Sequence, residues 1–163
     1  MEELDILCAV QTGSPSGTCL HGDDAWIRDA PAEVSAEFRR GGWYPGRSVD
    51  VSAWTEEIAS DGFLIPETAI GIWRSLGGLE FGKSGRRCSL LIDPTLVQGY
   101  QEAPFTEWPL RFGQRFCPIG EWDHVFNVFV GSKNGVLISL DSSVDQWFAG
   151  SPAVALHQLL STG

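Results

Sequence analysis

The pattern of apolar and polar positions divides the chain into a helical first half and a strand-rich second half. Between Pro31, suited to the first position of a helix, and Gly41-Gly42, suited to its end, Val34 and Phe38 stand four apart and share a face. A second short helix is predicted over Ser52 to Asp61, with Trp54 and Ile58 on one face and Gly62 as its stop. A third opens at Pro66 and closes at Gly77-Gly78, and its Ala69, Ile70, Trp73 and Leu76 form an apolar stripe at helical spacing. The period then changes. Leu79 to Phe81 and Cys88 to Ile92 read as strands on either side of a turn from Gly82 to Arg87, and Asp93-Pro94 breaks the second strand. Residues 95–115 follow neither period. Phe116 to Ile119 reads as a short strand. Val125 to Val130 and Val136 to Leu140 flank Gly131-Ser132-Lys133-Asn134-Gly135, which predicts a hairpin on an Asn-Gly turn. Val144 to Phe148 adds another strand. Ser151 caps a last helix with Pro152 at its first position, and Val154, Leu156, Leu159 and Leu160 supply the buried side. Helices, then strands, then a closing helix predict an α+β domain, a largely antiparallel sheet with helices packed on it.

Composition narrows the class. With 163 residues, 43% of them hydrophobic, the chain has enough apolar surface for one domain with a substantial core. The net charge of −10 opposes direct binding of nucleic acid or of anionic membranes. No run approaches the roughly 18 apolar residues of a membrane span, and the acidic start, Glu2, Glu3 and Asp5, is unlike a secretory signal. Four cysteines without a C-x-x-C pair predict reduced thiols and a cytoplasmic protein, with a Cys8–Cys19 bridge the one local pairing left open. The charge is uneven: residues 1–37 carry −7 of the −10. Residues 1–29 are expected to form an acidic, irregular leader whose end is pinned by Trp26 and Ile27, and residues 30–163 the folded domain.

Candidate chemistry is sparse. Gly77 to Ser84 matches the formula of a phosphate-binding loop, G-x-x-x-x-G-K-[ST]. That loop works between a strand and a helix N-terminus, whereas this stretch follows a predicted helix and contains Leu79, Glu80 and Phe81. His21, His124 and His157 lie far apart and have no partner at ligand spacing, so neither a metal nor a cofactor is expected. Glu56 and Glu57 are adjacent on a helix and diverge, no G-x-S-x-G elbow is present, and no catalytic residue is assigned. Surface character remains. Among seven tryptophans, Trp122 stands between Glu121 and Asp123, Trp26 follows Asp23-Asp24, and Trp108 lies between Glu107 and Pro109. A tryptophan among acids on a loop suits a protein interface. Glu121, Trp122 and Asp123, with Asp23, Asp24 and Trp26, are therefore the candidate partner-binding residues, weighed against the plainer alternative of tryptophans folded over their own loops.

At Gly42-Trp43-Tyr44-Pro45-Gly46-Arg47, then Val49-Asp50-Val51 and Trp54, the chain resembles the SUKH superfamily of bacterial immunity proteins, in its third subgroup. The likeness continues through Phe63-Leu64, Leu76-Gly77-Gly78-Leu79, Ile92-Asp93-Pro94, Cys117-Pro118-Ile119-Gly120-Glu121 and the Gly150-Ser151 turn, and it covers roughly residues 32–163. The acidic leader has no counterpart in it. The resemblance implies a non-catalytic α+β protein that protects a bacterium by binding a polymorphic toxin domain, commonly a nuclease or a nucleic-acid deaminase. The alternative function is an intracellular scaffold or regulatory module with a host protein partner, and the neighbouring gene separates the two. A nucleotide-dependent enzyme would rest on Gly77 to Ser84 alone.

Overall fold

The structure is a computed structural model that describes residues 24–82 and 89–162. Four helices come first: α1 (Ala25–Arg28), α2 (Ala32–Arg40), α3 (Ser52–Ser60) and α4 (Glu67–Leu76). Strands β1 (Glu80–Phe81) and β2 (Leu90–Leu91), a 3-10 turn at Pro94–Leu96 and α5 (Glu107–Phe112) follow. Strands β3 (Phe116–Trp122), β4 (Phe126–Gly131), β5 (Val136–Leu140) and β6 (Ser143–Phe148) and helix α6 (Pro152–Ser161) complete the described chain. The strands form one six-stranded sheet in sequence order, each antiparallel to its neighbour. The expected α+β architecture with a largely antiparallel sheet is what the chain adopts.

The central strands are buried along nearly their whole length, which is why they read as continuous apolar runs rather than as an alternation. In β4 and β5, Val128 faces Ile138 and Phe129 faces Leu137. Phe116, Phe129 and Trp147 meet Trp108 and Phe112 of α5, with ring centroids 5.0–6.0 Å apart. Helix α4 packs on β3, and α6 packs on β5 and β6 with Leu156, Leu159 and Leu160 buried. Ser151 caps α6 by accepting the Val154 N–H, as its position before Pro152 predicts.

Strand β3 is longer than its sequence suggests. Pro118 and Gly120 are poor strand residues, but the ladder with β4 shifts register between them and resumes through Trp122. Gly120 lies so close to β2 that a Cβ there would stand 2.0 Å from the Leu91 carbonyl oxygen. Residues 95–115, without period in the sequence, contain the 3-10 turn and α5. Asp93 opens that turn by accepting the Thr95 N–H, so Asp93-Pro94 ends the strand as expected.

One correction concerns the N-terminal part. The irregular leader expected through residue 29 gives way to α1, which packs on α2 and α6 with Ile27 fully buried. Trp26 and Ile27 do pin this segment, and Asp24 holds it too. The Asp24 carboxylate is 5% exposed and accepts from the Gly46 N–H at 2.8 Å and from Arg28 Nε at 2.8 Å. Asp23, His21, Cys8 and Cys19 lie outside the described residues, as do Cys88, Lys83 and Ser84.

The Gly46-Arg47 turn has a clear structural task. Gly46 has a φ of +82°, open to glycine, and Arg47 follows it into the end of α4. The Arg47 guanidinium donates to the Ser75 carbonyl at 2.6 Å and to the Gly77 carbonyl at 2.7 Å. It thereby satisfies carbonyls that the end of a helix leaves without an amide partner. Arg47→Ala is expected to lower stability by about 1.5–3 kcal/mol, the usual worth of hydrogen bonds to a charged group. Arg47→Lys should restore only part of it, because one ammonium lacks the fork. Urea unfolding of the three proteins checks this.

Candidate partner-binding surface

The connection between β3 and β4 is a tight turn from Trp122 to Val125, closed by the Val125 N–H donating to the Trp122 carbonyl. Asp123 and His124 occupy its centre with φ of +55° and +56°. Two successive left-handed residues make the tight turn, Val125 completes the connection before Phe126 pairs with Trp122, and Asp and His enter the left-handed region more readily than most residues do. The turn projects polar groups. Glu121 Oε1 lies 3.0 Å from His124 Nδ1, and Val125 at its edge is 60% exposed. Pairing of β1 and β2 with β3 brings Glu80 to the same end of the sheet, a neighbour that the sequence did not single out.

His124 reports this acidic environment. Its hydrogen bond to Glu121, followed by the charges of Glu121, Glu80 and Asp123, holds its pKa above the ordinary 6.5. The raised value means that the pairing stabilises the turn fully below pH 6.5 and is lost as pH rises through the folded-state pKa. An NMR titration should place the His124 midpoint above 6.5, and Glu121→Gln should move it down. A midpoint unmoved by that substitution would remove Glu121 as the cause.

Trp122 itself turns inward. It ends β3 rather than standing on a loop, is 8% exposed, and pairs across the ladders with Leu90 and Phe126. Its indole is part of the core and anchors the turn to the sheet instead of presenting a surface. Trp108 is also core, fully buried against Phe116 and Phe129. Asp24 is committed to Gly46 and Arg28. Trp26 is half-buried against Phe38, with Nε1 3.4 Å from Ser75 Oγ. Of the candidate residues within the described chain, Glu121 and Asp123 are therefore the half-buried acids on this turn, with 20% of the Glu121 side chain exposed.

A second accessible region had no sequence signal. Leu64 and Phe105, 62% and 42% exposed, line a cavity of about 360 Å³ together with Gly62, Pro104, Pro109 and Arg115. Its walls come from three separate stretches of chain, so no local pattern announces it.

Chemistry within the fold is limited. Among the described residues no group of His, Cys, Asp and Glu is placed to hold a metal ion. Cys117 is buried and burial pushes its thiol pKa up, away from a reactive thiolate. The Gly77-Gly78 stretch is a helix exit. The Gly78 N–H donates to the Ile92 carbonyl and the Leu79 N–H to the Leu76 carbonyl, so these amides are engaged within the fold rather than presented to a phosphate. No helix among the described residues is long and apolar enough to cross a membrane.

No curated protein and no solved structure matches the chain. The SUKH-3 immunity protein profile does match it, over residues 30–162, and so takes in the Arg47 cap, the helix exit at Gly77-Gly78, the whole sheet and α6. On that match, which spans most of its length, the chain belongs to the SUKH-3 immunity protein family.

Proposed function

We propose that this protein neutralises a cognate toxin domain in the bacterial cytoplasm by binding it stoichiometrically, and that the toxin acts on nucleic acid as a nuclease or a deaminase. The family match over residues 30–162 carries the immunity role. The net charge of −10 supports the nature of the target. An enzyme that grips nucleic acid presents a basic groove, and an acidic inhibitor complements that groove. The acidic turn at Glu121 and Asp123 contributes to this field and steers approach. An interface of about 1,600 Å² is sufficient for tight binding when apolar anchors sit inside it.

The test is reconstitution with the toxin domain encoded beside this gene. Co-expression should keep cells viable, and the two purified chains should elute together as a 1:1 complex. Absence of a complex together with cell death would overturn the reading.

A further inference from the structure

Single exposed apolar side chains are ordinary on protein surfaces, whereas several around one concavity mark an interaction site. Leu64 and Phe105 line the cavity described above, and Leu110, one residue beyond the cavity-lining Pro109, is 87% exposed. The floor is firm. Phe105 packs on Phe63 with centroids 4.6 Å apart, and Phe63 packs in turn on Phe129 of β4. Helix α5 buries Trp108 while Leu110 stays outside, so Leu110 contributes little to the core.

The segments that build the notch carry both signs of charge. Asp61 precedes the cavity residue Gly62, Glu102 and Glu107 bracket Phe105, and Glu67 opens α4 just after Leu64; all four are exposed. Asp61 lies near enough to Tyr100 for its charge, after burial, to raise the phenol's pKa. Arg115 lines the cavity and Arg111 stacks over the Phe112 ring at 5.0 Å. Four acids and two arginines therefore stand on or beside the segments that build the notch, and Arg115 is the charged residue that lines it.

That combination selects the occupant. A second copy of this chain would bring a net charge of −10 against another −10. Residues 1–23 carry Glu2, Glu3, Asp5 and Asp23 and no lysine or arginine, so they too are mismatched. The fitting partner is a basic protein surface with an apolar side chain at its centre. Resting on the immunity reading above, we propose that this notch is the toxin-docking site, receiving an apolar side chain that stands among lysines or arginines on the toxin's basic face. The acidic turn at residues 121–124 lies at the other end of β3. Phe116, at the start of β3, also lines the cavity, and six steps of ~3.3 Å, about 20 Å, separate it from Trp122. The turn adds to the field, and the notch supplies the anchor.

The experiment measures binding of the toxin domain encoded beside the gene to the full chain, by calorimetry and by stopped-flow association. Leu64→Ser and Leu110→Ser alter exposed side chains, and thermal melting confirms that each variant folds. Each should weaken affinity about tenfold, mainly through faster dissociation. Glu102→Lys with Glu107→Lys should slow association about tenfold. Leu140→Ser, which alters an exposed apolar side chain outside the cavity lining, should change affinity less than threefold. If the wild-type chain binds while the double variant Leu64→Ser/Leu110→Ser binds within threefold of it, the docking site is overturned and the immunity function stands. If the wild-type chain does not bind, both fall together.

Discussion

Replacing Trp73 with alanine is expected to remove about 3–5 kcal/mol of stability, the range seen when a buried aromatic is truncated in a packed core. Trp73 is fully buried on α4 at the point where that helix meets β3. Its Nε1 donates to the Pro118 carbonyl at 3.3 Å, and its ring meets Trp54 edge-on at 6.4 Å. Pro118 stands beside the register shift of β3, so the indole joins the helix to the most irregular part of the sheet. Whole domains are stable by only about 5–15 kcal/mol, so this single loss consumes a large share. Trp73→Phe retains most of the apolar area but removes the indole's hydrogen bond to the Pro118 carbonyl, and about 1–2 kcal/mol is expected for it. Urea unfolding followed by circular dichroism measures both. A loss below about 1 kcal/mol for the alanine variant would show that α4 is not fastened to the sheet through this residue.

The second large effect concerns association with the toxin. Steered encounter between oppositely charged proteins reaches ~10⁸–10⁹ M⁻¹s⁻¹ at low salt, against ~10⁵–10⁶ without steering. The Debye length shrinks from about 30 Å at 0.01 M salt to about 3 Å at 1 M. Raising salt from about 20 mM to 500 mM should therefore slow association with the neighbouring toxin domain at least tenfold. Dissociation depends on short-range contacts and should change less than threefold. Stopped-flow mixing separates the two rates. An association rate insensitive to salt would mean that the charge of −10 has no part in recognition.

The elements most legible in the sequence are those with many periodic positions or strong punctuation. Helix α4 carries a full apolar stripe, α6 has Ser151-Pro152 at its start, and β4 and β5 flank an Asn-Gly turn. Helix α1 is a single turn, too short to show a period. Helix α5 has Pro109 at its third residue, which conceals a helix whose inward side includes Trp108 and Phe112. The end of β3 was obscured by Pro118 and Gly120, which a register shift accommodates. The same concealment applies to Trp122: flanking acids suggest a loop, yet the alternation of β3 sends Glu121 and Trp122 to opposite faces. The signature residues Gly46 and Arg47 are recognisable as a pattern, but their physical reason, a cap on α4 and a hold on Asp24, exists only once the helices are assembled. The docking notch joins residues near 62–64, 104–105, 109 and 115, and separation along the chain kept it invisible.

The account stands on inhibition by occupancy, and titrating toxin activity with this protein tests that most directly. At toxin concentrations well above the dissociation constant, activity should fall in a straight line and reach zero at one equivalent. Full activity in the presence of a tenfold excess of folded protein would contradict it.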